Sequence, residues 1–246
     1  MIKRLFDFVA ATLGLVITSP ILVPTMIAVW WQDKHSPFYV APRVGKGEKI
    51  FKMIKMRSMV INADKSGVDS TGANDRRITR VGHFIRRYKL DELTQLINVV
   101  KGEMSLVGPR PNVKRDTDLY TDVEKRLLAV RPGITDLASI VFSDEGDILK
   151  DSVDPDLDYN QRIRPWKSRL ALLTVEKSSF WVDFNIILLT VVAILSREKA
   201  LQGVHKLLRK LQADDETTRV AQRVEPLRPF PPPGANEVVM SRVVPS

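Results

Sequence analysis

The sequence predicts an α+β protein, mainly helical. It is expected to consist of an N-terminal re-entrant membrane anchor, a small β-hairpin and a cytoplasmic helical core with amphipathic surface helices. Three observations predict this: an uncharged run of 24 residues at 8–31, two strand-like stretches around Gly45-Lys46-Gly47-Glu48, and apolar residues at helical spacing from residue 78 onward. At 246 residues and 44% hydrophobic content, the chain can hold one domain of ordinary size plus extras. The expected units are an anchor at 1–35, a core domain at 36–198, a basic amphipathic helix at 199–213, and a polar then Pro-rich tail at 214–246, read as disordered.

Met1-Ile2-Lys3-Arg4 is a short basic start to the anchor. The uncharged run that follows exceeds the roughly 20 residues a membrane helix needs. A cleavable signal peptide would have a shorter apolar stretch and a small-residue cleavage site. Here the run continues instead through Trp30-Trp31, residues suited to a membrane interface. Ser19-Pro20 sits near the middle and Pro24 follows. Proline removes a helix hydrogen bond and clashes with the preceding turn. Each arm is then about eleven residues, roughly 16 Å, or about half of a ~30 Å hydrocarbon core. That favours a helix–break–helix that enters and leaves on one side, with Ser19 and Pro20 as the break. Lys3 and Arg4 before it and the basic body after it favour both ends in the cytoplasm. A spanning helix kinked at proline is the competing arrangement.

Residues 37–60 read as two short strands around a Gly-containing turn. Lys52 and Ile54 face one way, Met53 and Lys55 the other, so the second strand is not cleanly amphipathic. Its cations either meet phosphates or are simply solvated. Residues 62–76 are polar, contain Gly67 and Gly72, and read as a mobile loop. From 78 to 88, Val81, Phe84 and Ile85 fall at helical spacing, with Arg80, Arg86 and Arg87 around them.

The next stretch, 89–111, is the centre of the chain. Leu90, Leu93, Leu96, Ile97 and Val100 make one apolar helical stripe, and Asp91, Gln95 and Asn98 share a second face with Glu92 on its shoulder. Gly102 ends the helix, and Gly108-Pro109-Arg110-Pro111 forms a rigid exit. Two adjacent carboxylates thus lie among Arg86, Arg87, Lys89, Lys101 and Arg110. A carboxylate among cations stays ionised at neutral pH and can serve as nucleophile or metal ligand. Acidic residues in a first helical turn also favour the macrodipole, and spacing alone leaves both readings open.

After Pro111 the sequence predicts a polar helix over 112–129, a turn at 131–135, a short buried strand over 137–142 and an acidic loop over 144–160. Residues 180–195 are apolar apart from Asp183, Asn185 and Thr190. Sixteen residues are short for a span and an aspartate is costly in lipid, so this helix is expected on the core or at the membrane surface. Further on, Leu201, Val204, Leu207, Leu208 and Leu211 form a stripe opposite Lys206, Arg209 and Lys210, a pattern suited to lying on anionic lipid.

The net charge is +9, and residues 43–101 alone hold fourteen Lys/Arg against six Asp/Glu. That points to an anionic partner: nucleic acid, anionic lipid or a phosphorylated substrate. No nucleic-acid module is recognisable, and the apolar N-terminus argues against that class. The chain has no cysteine, which excludes disulfides, thiol chemistry and Cys-based zinc sites. Its three histidines, His35, His83 and His205, are scattered.

The run Lys89-Leu90-Asp91-Glu92-Leu93-Thr94-Gln95-Leu96, continuing through Asn98-Val99-Val100-Lys101-Gly102-Glu103-Met104-Ser105-Leu106-Val107-Gly108-Pro109-Arg110-Pro111, resembles the core signature of the bacterial sugar transferases called monotopic phosphoglycosyl transferases. The basic segment 51–59, Arg131-Pro132-Gly133-Ile134-Thr135 and Ser19-Pro20 resemble further elements of that family in the same order, over residues 1 to about 198. The resemblance implies an enzyme at the cytoplasmic face of a bacterial inner membrane. It would pass a sugar 1-phosphate from a UDP-sugar to polyprenyl (undecaprenyl) phosphate and release UMP, initiating an O-antigen, capsule or glycoprotein glycan. It implies Asp91 as nucleophile and magnesium (Mg2+) contact, Glu92 as its assistant, and Arg86 and Arg110 near the phosphates. Asp183 matches an aspartate of the late helix. Lys89, Thr94 and Asp136-Leu137-Ala138 depart from the family pattern without removing a proposed catalytic group, and leave the sugar undefined. A non-enzymatic membrane-surface protein binding anionic lipids is the alternative, but it gives Asp91-Glu92 no role. The sequence leaves homodimerisation open.

Overall fold

The computed structural model describes residues 2–63 and 75–241, so most of the loop expected over 62–76 lies outside the described residues. The chain opens with one helix, α1 (Ile2–Asp33), which contains Pro20 and Pro24. The residues of the expected break, Ser19 and Pro20, lie inside it. Proline at 20 leaves the Val16 carbonyl without its helical donor, and the Ser19 hydroxyl donates to that oxygen at 2.8 Å. One face of α1 is buried, through Asp7, Ala11, Leu22, Thr25 and Val29, while Leu13, Val16, Ile17, Ile21, Ile27 and Trp31 are exposed.

The hairpin forms as expected. Strand β1 (Phe38–Val44) pairs antiparallel with β2 (Ile50–Met56), from Phe38 opposite Met56 to Val44 opposite Ile50. Gly47, at φ +63°, makes the tight turn between them. Helix α2 (Arg80–Arg87) begins at Thr79, whose hydroxyl accepts from the Gly82 N–H at 2.9 Å. Two short helices follow, α3 (Leu90–Leu93) and α4 (Leu96–Lys101), ended by Gly102 at φ +85°. They pack between α1 and β2. Ala11 meets Leu96, Val99, Met104 and Met53, while Leu22 and Val29 meet Met56, Ile85 and Leu90. The polar face of this stretch is also inside, because Gln95 and Asn98 are buried.

Several segments differ from the sequence expectation. The stretch between Gly102 and Gly108 and the turn expected at 131–135 contain short strands, β3 (Ser105–Val107) and β4 (Gly133–Thr135), which pair in parallel. Their backbones approach closely at Gly108 and Gly133, where a side chain would collide with main chain. The helix expected over 112–129 is broken into α5 (Lys114–Thr117) and α6 (Asp122–Lys125) because Thr121 and Glu124 form a capping box that starts a new helix. The strand expected over 137–142 is a helix, α7 (Leu137–Val141), since the Asp136 carboxylate accepts from the Ser139 N–H at 2.7 Å and caps it. The acidic stretch contains α8 (Glu145–Ile148) and α9 (Pro155–Asp158) and runs into α10 (Arg164–Glu176).

The main core gathers Leu137, Ile140 and Val141 of α7, Trp166 and Leu170 of α10, and Ile186 of α11 (Phe180–Leu195). It also takes Ala200, Val204 and Leu208 of α12 (Arg197–Lys210). The apolar stripe of α12, expected to lie on anionic lipid, is therefore spent on the protein core and only its basic face is free. The tail is not an unfolded appendage over its described part. Helix α13 (Asp215–Ala221) buries Ala221, and Leu227 is buried as well. The Phe230 ring lies 4.4 Å from Trp166, and the Phe230 N–H donates to the Gln161 carbonyl at 2.9 Å. Composition suggested disorder, but scattered Leu and Phe residues dock singly onto α10 and a Pro-rich chain has few N–H groups left to satisfy.

Candidate active site

Arg86 lies in the last turn of α2, and Lys89 then turns the chain into α3. Lys89 has φ +56°, a left-handed conformation that costs a non-glycine residue about 1 kcal/mol. The turn sets Asp91 and Glu92 in the first turn of α3. Arg110 arrives from the other direction, just beyond the β3–β4 pair. Its Nη2 donates to Glu92 Oε1, and its Nη1 lies 3.4 Å from the Ile134 carbonyl of β4. The parallel strands thus aim the guanidinium at the carboxylate.

Lys55 completes the cluster from β2. Asn98 fixes that strand against α4: its Oδ1 accepts from the Ile54 N–H at 2.9 Å and its Nδ2 donates to the Lys52 carbonyl at 2.8 Å. The same amide reaches Glu103 Oε2 at 2.7 Å. A fully buried side-chain amide therefore extends the strand edge into the helix.

The two carboxylates are not equivalent. Burial raises Glu92, but the Arg110 guanidinium, with Lys55 and Lys89, outweighs it and holds the group at about 2. Burial raises Asp91 above the ordinary aspartate range, with Glu92 adding to the effect and Lys55, Arg110 and Arg86 opposing it. Burial, then Arg110, holds the Lys55 ammonium below the ordinary lysine range, against the pull of Glu92 and Asp91. Glu92 is ion-paired to Arg110, whereas the Asp91 carboxylate has no hydrogen bond or ion pair among the described residues. The site thus offers one engaged carboxylate and one free carboxylate, with cations around both.

Residues 1–197 match the family described as bacterial sugar transferase. The chain belongs to that family. It is 34% identical over 217 residues to an uncharacterized sugar transferase of Haemophilus influenzae, covering 81% of this chain and 42% of that protein. It is 32% identical over 201 residues to a UDP-N-acetylgalactosamine-undecaprenyl-phosphate N-acetylgalactosaminephosphotransferase of Aeromonas hydrophila, covering 79% of this chain and 44% of the relative. A UDP-glucose:undecaprenyl-phosphate glucose-1-phosphate transferase of Caulobacter vibrioides is 32% identical over 205 residues, covering 80% of this chain and 71% of its own length. The chain thus spans less than half the length of the first two relatives.

The fold brings Asp91, Glu92, Arg86 and Arg110 into one cluster of charges. It does not bring Asp183 to them. Asp183 is ion-paired with Lys3 near the start of α1. Ser19 and Pro20 lie mid-way along α1. Lys55 is the member that sequence reasoning did not single out. The signal was a lysine sharing a strand face with Met53, where solvation and phosphate contact looked equally good. Arg110 also lines a small cavity of about 60 Å3, together with Asn112, Tyr120, Asp136, Ser139, Tyr159 and Lys167. The departure from the family pattern at Asp136 therefore sits one cavity wall away from the carboxylate cluster.

Proposed function

We propose that the protein transfers a sugar 1-phosphate from a UDP-sugar to undecaprenyl phosphate, releasing UMP, through a covalent intermediate on Asp91. One observation carries this reading: Glu92 is occupied by Arg110 while the neighbouring Asp91 carboxylate is free and lies among cations. In the first step an Asp91 carboxylate oxygen attacks the phosphorus next to the sugar. The P–O bond to the second phosphate breaks, and its electron pair leaves with UMP. In the second step an oxygen of the lipid phosphate attacks the same phosphorus, the bond to Asp91 breaks, and the carboxylate is restored. Arg110, Arg86 and Lys55 offset the charge of the diphosphate and of the incoming lipid phosphate.

Magnesium belongs to the proposal. Among the described residues no group of three or more acidic or histidine side chains converges. The donor set fits an ion held by Asp91 and mainly by substrate phosphates, since magnesium commonly takes only one or two protein carboxylates. Bound there, it would neutralise phosphate charge. The relatives named above differ in sugar, N-acetylgalactosamine in one and glucose in another, so the sugar is left undefined.

The anchor is proposed to enter and leave the cytoplasmic leaflet of the inner membrane. Both ends of α1 are tied to the same body. Asp7 accepts from the Ser105 hydroxyl at 2.8 Å near the start, and Asp33 pairs with Arg57 at 2.6 and 2.7 Å at the end. Only 17% of its most apolar window is buried, which suits a lipid-facing helix better than a core helix.

The test is nucleotide release. Purified protein in nanodiscs is mixed with magnesium, undecaprenyl phosphate and a panel of UDP-sugars. UMP that requires the lipid, magnesium and Asp91 is expected, with Asp91→Asn inactive but still membrane-bound. UDP as the product would refute phosphosugar transfer. An N-terminal tag accessible only from outside the cell would refute the one-sided anchor.

A further inference from the structure

A second cavity, of about 270 Å3, lies between the start of α1, the Gly108-Pro109 turn after β3 and the C-terminal end of α10. It is separate from the reaction centre, because Lys55, Arg86, Asp91, Glu92 and Arg110 do not line it. Its wall carries Lys3, Arg4, Lys46 and Arg131 against two carboxylates, Asp7 and Asp183. Both carboxylates are already engaged. Asp183 is held by Lys3, and Asp7 accepts from the Ser105 hydroxyl at 2.8 Å and the Leu106 N–H at 3.2 Å.

Three of the cations have no counter-carboxylate. Arg4 donates to the carbonyls of Val99 and Val100 at 2.5 and 2.8 Å, and Arg131 Nε donates to the Gly102 carbonyl at 2.8 Å. Lys46 makes no ion pair among the described residues. Three separate segments therefore bring positive charge to one hollow without a carboxylate to neutralise it. The side chains flanking the hollow in sequence are apolar and exposed: Ile2, Leu5 and Phe8 of α1, and Phe180 and Trp181 of α11. The Phe6 ring meets Phe180 at 5.3 Å and closes the two helices into one apolar surface. A cation-lined hollow beside an apolar surface has the chemistry of an anionic amphiphile site. The volume is below the ~300–1,000 Å3 of sites that enclose a whole small molecule, and it suits a headgroup.

We propose that this cavity binds the phosphate group of an anionic membrane phospholipid, with the acyl chains against α1 and α11. Such a bound headgroup would fix the depth and tilt of the body on the bilayer. The inference rests on the membrane placement of α1.

Full-length protein in detergent is titrated with phosphatidylglycerol or phosphatidylcholine, and lipid adducts are read by native mass spectrometry. The wild type is compared with Lys46→Gln/Arg131→Gln and with the charge-matched Lys206→Gln/Lys210→Gln on the free face of α12. Unchanged melting temperatures serve as the folding control. The cavity pair is expected to weaken phosphatidylglycerol binding about 30-fold, equivalent to about 2 kcal/mol for two cations at a membrane surface, and to leave phosphatidylcholine binding unchanged. The α12 pair is expected to change neither. Equal losses in both variants would overturn the site in favour of general basicity, and no loss in the cavity pair would overturn it outright. Displacement of the lipid by millimolar inorganic phosphate would show a free-phosphate site instead. A wild type that binds the lipid in detergent yet does not float with vesicles would count against the membrane placement of α1, not against the cavity.

Discussion

Replacing Gly133 by alanine tests how the site is held together. A Cβ on Gly133 would lie 2.1 Å from the Gly108 nitrogen, 2.5 Å from its carbonyl oxygen and 2.7 Å from its Cα. All three are main-chain atoms, so no rotamer change relieves the clash and β4 must move away from β3. The Gly133 N–H to Pro109 carbonyl bond at 2.9 Å and the Gly108 N–H to Thr135 carbonyl bond at 3.0 Å move with it. Overpacking of this kind costs about 3 kcal/mol when backbone must shift, a fall in melting temperature of about 6–12 °C for a chain of this size. Arg110 lies two residues past Gly108 and touches Ile134 of β4, so UMP release should fall with stability. Gly203→Ala is the control. Its Cβ would lie 2.2 Å from Leu189 Cδ2, almost the same nominal overlap, but against the end of a flexible side chain. It also gains about 1 kcal/mol of helix propensity. Its melting temperature should change by less than about 3 °C. Differential scanning fluorimetry in detergent, with nucleotide release on the same samples, decides the matter. Equal effects from the two variants, or none from Gly133→Ala, would refute the reasoning.

Four further outcomes are expected. Because burial raises Asp91, ionising it in the folded protein costs stability that a neutral amide does not, so Asp91→Asn should be inactive yet more stable near pH 7 by about 1 kcal/mol. That gain should shrink as pH falls through the raised pKa and the wild-type carboxyl becomes protonated, as followed by melting temperature against pH. For the same reason the acidic limb of the rate profile should lie above the ordinary aspartate range and move to higher pH in Lys55→Met. Asn98→Ala removes the amide that clamps β2, leaving the Ile54 N–H and Lys52 carbonyl unpaired, and should cost about 3 kcal/mol in denaturant titration. Arg164→Met strands the fully buried Glu124 carboxylate, which Arg164 Nε contacts at 3.1 Å, and should cost about 3–5 kcal/mol, with partial recovery in Arg164→Met/Glu124→Gln.

The sequence by itself determined the local, periodic and compositional features. The uncharged run at 8–31, the Gly-centred hairpin, the glycine stop at Gly102 and the helices at 180–195 and 197–210 follow from near-neighbour rules: spacing, caps and turns. The grouping of Asp91-Glu92 with Arg110 was also within reach, because the residues are nineteen apart at most and belong to one motif. Other features depended on partners distant in the chain. The link before Gly108 and the expected turn at 131–135 became β3 and β4 because Ser105 and Gly133 lie side by side, and three-residue strands carry no periodicity to reveal them. The stripe of α12 reads the same whether lipid or protein covers it, and α7, α11 and α13 cover it. The tail's Leu227 and Phe230 look isolated in sequence and find their partners only on α10 and its neighbours. Lys55 joins the site because the buried Asn98 amide, forty-three residues later, fixes its strand. Tertiary structure alone also separated the two carboxylates, since an aspartate among cations reads as ionised until its burial is known. Desolvation then raises Asp91, while one contact from Arg110 keeps Glu92 low.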